Sequence, residues 1–396
     1  MGAFHLTLFF QFVVTTRPSL PDTVSPHSRT ATQHLVEHPL NREDTALARK
    51  VGPGHAALIR LLPGALTGEP DGGVAYERTT DAARYDRVQG LSLGLGYRVA
   101  VPGVSFTAVY ATARYGFSDE RITGRLTLKR DGPGGRLLVS GFREIGDLDP
   151  FSPGHTLGNT LNALVAGHDN GDYSLIHGGL IGFETSLATG IGVGIGAEVE
   201  EETSVARTAK SAVNDALGGS GLFPPNPAVD EGTFGRGWIR LAGLGRTRWS
   251  LTVEVTGGEG RSTGRVYGNL LQDVGGSRGV TLRLKTGIAT RPAFERALFR
   301  LGGLETVRGF DYGTRRGRAF WAAQLDLAPL GGRMRPVAFV DAGQAAAEDL
   351  LASQALVGGG VGLSLFNGSL RFDLSRSISP DLGGKLRFDL LVRAVR

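Results

Sequence analysis

Val280-Thr281-Leu282-Arg283-Leu284-Lys285-Thr286-Gly287-Ile288 reads as an extended strand. Successive strand side chains leave on opposite faces. Val280, Leu282, Leu284 and Ile288 therefore share one face, and Thr281, Arg283, Lys285 and Gly287 share the other. The same two-residue period recurs along the chain. Trp249, Leu251, Val253 and Val255 oppose Ser250, Thr252, Glu254 and Thr256. Ile191, Val193, Ile195, Ala197 and Val199 oppose Gly192, Gly194, Gly196, Glu198 and Glu200. Near the end, Leu386, Phe388, Leu390 and Val392 oppose Arg387, Asp389 and Arg393.

From about residue 88 onward, about fifteen such candidates run roughly 9–14 residues each, longer than the usual globular strand. A tilted strand crossing a bilayer needs about 9–11. Mid-strand charges such as Glu198, Glu254, Arg283, Lys285, Arg387 and Asp389 fit a wet lumen, with the apolar face turned to lipid. The reading is an all-β fold, a transmembrane antiparallel β-barrel, in preference to a soluble sandwich. Composition agrees. Of 396 residues, 61 are Gly and none is Cys, while hydrophobic content is 41%. A bundle of membrane helices needs runs of about 18 apolar residues, which the chain lacks. Cysteine chemistry, disulfides and thiolate metal sites are excluded. The net charge of +5 is spread along the chain, and no basic block points to nucleic acid.

The connections sort by length. Those at 101–103, 188–190 and 245–247 are short, whereas 147–171, 204–232 and 290–317 are long. Outer-membrane barrels place short turns in the periplasm and long loops outside. One up-and-down alternation puts all three long connections outside and all three turns inside. The same count requires an upward strand before Val88, best supplied around Gly73-Val74-Ala75-Tyr76-Glu77. Five strands follow the 290–317 loop, near 318–329, 335–343, 354–366, 368–378 and 384–395. The total is about sixteen, with fourteen as the alternative.

Phe299-Arg300-Leu301-Gly302-Gly303-Leu304-Glu305-Thr306-Val307-Arg308-Gly309-Phe310 and, later, Phe339-Val340-Asp341-Ala342-Gly343 resemble the bacterial surface-antigen superfamily. That group holds the barrel-assembly insertase, its organelle relatives and the two-partner-secretion translocators. The resemblance covers residues 270–396 well and the first half of the barrel by general pattern. It implies sixteen strands, an outer-membrane location and a sixth external loop folded into the lumen. The tip of that loop is Val307-Arg308-Gly309-Phe310, and its arginine meets an acid on the F-x-D-x-G strand that carries Phe339 and Gly343. The implied partners are outer-membrane lipid, unfolded polypeptide clients and periplasmic chaperones. The implied work is insertion or translocation of polypeptide, without catalysis, metal or cofactor. The alternative is a passive pore or structural barrel without client handling.

Alternation puts Val337, Phe339, Asp341 and Gly343 on one face, and Phe320, Ala322, Gln324 and Asp326 on one face of the preceding strand. A lipid-facing carboxylate is costly, so Asp341 and Asp326 should point inward. Arg308 could then bridge them, a geometry that favours guanidinium over ammonium. Gly309 would allow close approach to the wall, and Phe310 would pack on lumen aromatics such as Phe339.

Residues 1–70 read as a poorly structured N-terminal segment, with the barrel domain at 71–396. The segment shows no strand–helix–helix–strand–strand pattern of a POTRA module, only short helical pieces near Thr32–Glu37 and His55–Leu62. Phe4–Val14 is mostly apolar but lacks a preceding Lys or Arg and a following A-x-A site. His34-Leu35-Val36-Glu37-His38 matches an H-x-x-E-H zinc pattern, but Pro39 ends any helix at once, so chance is the better account. His155, His168 and His177 lie near Asp169, Asp172, Ser152 and Ser174, with nothing in the sequence to fix a catalytic geometry. The glycines at 192, 194 and 196 are expected to give curvature or room for the inward loop.

Overall fold

The computed structural model describes residues 72–76, 78–216, 218–245, 247–275, 279–291, 293–350, 353–379 and 386–392. The proposed N-terminal segment, its helical pieces and the H-x-x-E-H stretch lie outside these residues. The described chain is almost entirely antiparallel strand. After a first strand in two pieces, β1 (Gly72–Val74 and Ala83–Asp86), the wall continues through β2 (Gly90–Ala100), β3 (Thr107–Gly116), β4 (Ile122–Gly132), β5 (Gly135–Asp147), β6 (Tyr173–Ala188), β7 (Ile191–Ser204) and β8 (Gly232–Gly243). The second half comprises β9 (Thr247–Gly258), β10 (Arg261–Val274), β11 (Gly279–Ala289), β12 (Ala319–Ala328), β13 (Met334–Ala346), β14 (Leu356–Leu365), β15 (Leu370–Ser377) and β16 (Arg387–Val392). Each strand pairs antiparallel with the next.

The first strand completes the count of sixteen, and it is broken. Gly72–Val74 pairs with Tyr97–Val99 at one end of β2, and Ala83–Asp86 pairs with Gly90–Leu93 at the other. Between the pieces the chain leaves the ladder through the short 3-10 turn Thr79–Asp81. The strand expected around Gly73–Tyr76 is thus present over Gly72–Val74, while Glu77 is outside the described residues. Among the described residues, no register pairs β1 with β16, so the ladder does not close between these two edge strands.

Burial follows the two-residue period. In β8, Phe234, Arg236, Trp238 and Arg240 are buried, while Ile239 between them is 51% exposed. In β9, Thr252, Glu254 and Thr256 are buried, while Leu251, Val253 and Val255 stand outside. The exposed large side chains form an apolar belt that also includes Leu93, Leu95, Leu126, Ile181, Ile195, Val266, Leu284, Val340 and Val361. Burying the charged face and exposing the apolar one inverts the arrangement of a soluble protein. It is the arrangement a barrel in lipid requires.

The long connections 148–172, 205–231 and 290–318 leave from the same end of the wall, as the alternation demands. The first carries α1 (Leu157–Leu161), which runs directly into a π turn at Asn162–Ala166. The second carries α2 (Ala212–Ala216). The third holds the 3-10 turn Glu295–Ala297 and a two-stranded ribbon, Phe299–Leu301 against Arg315–Gly317. The largest apolar cluster joins this third loop to the wall. In it Phe299, Leu301, Val307 and Phe310 pack with Phe151, Tyr267, Phe320, Ala322 and Leu356.

Candidate functional site

The Val307–Phe310 tip lies inside the lumen. Arg308 is 1% exposed, and its side chain meets three carboxylates from three strands. Nε donates to Asp341 Oδ2 at 2.7 Å and Nη2 to Asp341 Oδ1 at 2.7 Å. Nη2 also donates to Asp326 Oδ1 at 2.8 Å, and Nη1 to Asp373 Oδ2 at 3.1 Å. The Arg308 backbone N–H donates to Asp341 Oδ2 at 2.9 Å. Beneath the guanidinium lies the Phe339 ring, with its centroid 3.7 Å from the guanidinium carbon. Burial works against the charge, but Asp341, Asp326 and Asp373 outweigh it and hold the Arg308 pKa above its ordinary value.

More negative charge stands here than one arginine can match. Arg371 supplies a second cation, with Nη1 at 2.9 Å from Asp326 Oδ2 and Nε bonded to Asp373 Oδ1. Arg283 adds a third at 2.6 Å from Asp326 Oδ2. The result is an alternating lattice of three arginines and three aspartates. Such a buried lattice is tolerated only because every member is paired.

Glycine provides the room. The inward face of β14 carries Gly358, Gly360 and Gly362. A Cβ on Gly358 would sit 1.9 Å from the Arg308 carbonyl oxygen, and one on Gly360 would sit 2.6 Å from the Phe339 ring. Gly309 has φ +89°, and its Cβ would lie 2.5 Å from the Arg376 carbonyl carbon, so the tip rests directly on the β15 backbone. Gly343 leaves space for the Leu301 side chain.

Of the residues singled out from sequence, Arg308, Asp341, Asp326 and Phe339 meet in one contact set, while Gly309 and Gly343 permit close approach. Phe310 does not join Phe339. It lies in the aromatic cluster with Phe151 and Phe320, because Phe339 is covered by the arginine. Sequence reasoning missed Asp373, Arg371 and Arg283 as members of the lattice. The signal was present in the inward alternation Arg371, Asp373, Ser375.

A second charged group holds the base of the same loop. Arg296 bonds Glu200 and lies 3.1 Å from Glu202, and Arg236 links Glu198, Glu200 and Glu254 across β7, β8 and β9. Arg300 Nε meets Asp172 Oδ2 at 3.1 Å, tying the 290–318 loop to the 148–172 connection. The glycines of β7 do face inward, and the space above Gly196 holds the Trp238 ring rather than the loop. The histidine–serine grouping does not assemble. Ser174 donates to Glu202, Ser152 donates to the Asn170 carbonyl, and His155 stacks on Tyr173. No group of acidic and histidine residues suited to a metal ion occurs among the described residues.

The wall, its belt and the inward loop define an outer-membrane type of β-barrel. BamA from Haemophilus ducreyi lacking POTRA domains 1-3 shares this architecture, with a TM-score of 0.56 at 14% identity over 81% of this chain and 70% of that one. The likeness to that BamA barrel is one of fold. CdiB from Acinetobacter baumannii aligns at a TM-score of 0.44 and 13% identity, over 78% of this chain and 57% of that one. CdiB from Escherichia coli gives 0.42 and 11%, over 81% and 61%. No protein-family profile and no curated protein matches the sequence.

Proposed function

We propose that this barrel works in the bacterial outer membrane as an insertase or translocator of polypeptide, without enzymatic chemistry. Its clients would be unfolded chains, delivered by periplasmic chaperones to a wall bathed in outer-membrane lipid. The carrying observation is the 290–318 loop held inside the lumen by Arg308 among Asp341, Asp326 and Asp373. A surface protein needing only an outer scaffold gains nothing from burying three aspartates at its centre. A loop pinned this firmly fixes the lumen wall on the side where β12 to β15 approach the free edge of β16. That edge, with its unpaired partner β1, offers a place where an extended chain can add to the sheet.

The test is reconstitution of the full chain in liposomes, followed by the folding rate of an added outer-membrane barrel precursor. Faster client folding than in empty liposomes supports the reading. Steady ion conductance with no effect on client folding would replace it with the passive pore.

A further inference from the structure

The free edge of β16 is not bare. The side-chain amide of Asn162, in the π turn after α1, pairs with Leu390 twice: Leu390 N–H donates to Asn162 Oδ1 at 2.7 Å, and Asn162 Nδ2 donates to the Leu390 carbonyl at 2.7 Å. In an antiparallel ladder a residue directs its N–H and C=O to the same side, and a neighbouring strand answers with one acceptor and one donor. A primary amide side chain carries that complement in a single planar group. Asn162 thus stands where the backbone of an added strand would stand.

The rest of the turn is built to hold it there. Gly158 lies so close to β16 that a Cβ would be 3.2 Å from the Val392 nitrogen and 3.4 Å from the Leu390 carbonyl oxygen. On the other side, the Tyr85 N–H of β1 reaches the Thr160 hydroxyl at 3.5 Å. The neighbouring Asn159 is buried and anchored, donating to Asp169 Oδ1 at 2.8 Å and accepting from the Asn170 N–H at 2.7 Å. His168, two residues beyond the turn, lies 3.4 Å from Asp389 on β16. The segment 157–168 therefore touches both edges of the sheet that no ladder joins.

We propose that the turn at 157–166 is a built-in seam latch. Asn162 occupies the strand-pairing groups of Leu390 and must leave before an extended polypeptide can add to β16. This rests on the reading of the seam as a client-docking edge and names what controls it. The reason for a side chain rather than a strand is reversibility. Two hydrogen bonds release at once when one amide swings away, whereas a zipped strand must give up a whole ladder.

Hydrogen–deuterium exchange on the full chain in liposomes tests the latch itself. Asn162→Leu keeps the branched skeleton but removes donor and acceptor, and should speed exchange of the Leu390 amide by about ten- to a hundredfold. The β12–β15 amides should be unchanged. Gly158→Val, which leaves Asn162 intact but forces the turn off β16, should have the same effect and guards against a folding defect peculiar to Asn162→Leu. Leu390 protection unchanged in both variants overturns the latch. Both variants are then scored for client folding. Faster client folding together with faster Leu390 exchange supports the full proposal. If neither chain folds clients but Leu390 still deprotects, the latch stands and the insertase reading falls. Faster client folding without Leu390 deprotection overturns the latch while leaving that reading in place.

Discussion

Arg308 and Asp341 are joined by three hydrogen bonds: the arginine's backbone N–H and Nε both end on Oδ2, and Nη2 ends on Oδ1. The backbone bond fixes where the residue sits, and the fork fixes its rotamer. A lysine could keep the charge but cannot present coplanar donors to three carboxylates. Arg308→Ala should release the tip, seen as new protease cutting between residues 305 and 312. Removing one partner of a buried ion pair costs about 3–5 kcal/mol, here tempered at Asp326, which keeps Arg371 and Arg283, but not at Asp341. Arg308→Lys should lie nearer to alanine than to the native chain. Unchanged cutting in both variants would show that the apolar cluster alone holds the loop.

Gly309 provides an independent probe of the same contact. Its φ of +89° is costly for other residues, and an added methyl group would collide with the β15 backbone at Arg376. Gly309→Ala should loosen the tip without touching any charge. The expected signature is protease sensitivity like that of Arg308→Ala, with the thermal midpoint of unfolding lowered.

Much of this was legible from sequence because strand geometry is so regular. Once the period was two, the inward direction of Asp341 and Asp326 followed from the cost of a carboxylate in lipid, and both are buried. Asp373 obeys the same rule, but many acids point inward. Its selection depends on the register of β13, β14 and β15, where Asp341 lies opposite Gly358 and Asp373 opposite Gly362. Alternation cannot supply that register. The pairing of Phe310 failed for a related reason. Two aromatics can both face inward, and only the loop's path decides that the arginine, not Phe310, covers Phe339. The break in β1 and the bond between Asn162 and Leu390 leave no periodic signature at all, since both come from irregular chain meeting a sheet edge.

The belt makes a prediction about orientation. Val253 pairs with Val266 and Ile239, and all three point outward, while the next residue, Glu254, is buried in the lumen beside Arg265 and Arg236. Val253→Arg should cost about 2–4 kcal/mol near the bilayer midplane, whereas Val253→Ala should cost little. Denaturant titration of refolding into lipid vesicles measures both. Equal effects would mean this face does not meet hydrocarbon.

His155 gives the chain an acid-sensitive point outside the wall. It is buried in the 148–172 connection and stacked on Tyr173, with its Nδ1 3.4 Å from an Arg78 nitrogen. Burial, reinforced by Arg84, Arg78 and Arg114 and opposed in part by Glu144, pushes its pKa well below the ordinary histidine value. The unfolded chain therefore takes up a proton near pH 6.5 that the folded chain refuses. This contribution to stability is intact above pH 6.5 and falls by about 1.4 kcal/mol for each further pH unit, until the folded pKa is reached. His155→Phe, which keeps the stack on Tyr173, should flatten that part of the profile. The comparison to make is the difference in unfolding midpoint between variant and native chain at pH 7.5 and pH 5. A difference that does not grow on acidification would show that the imidazole titrates normally in the folded protein.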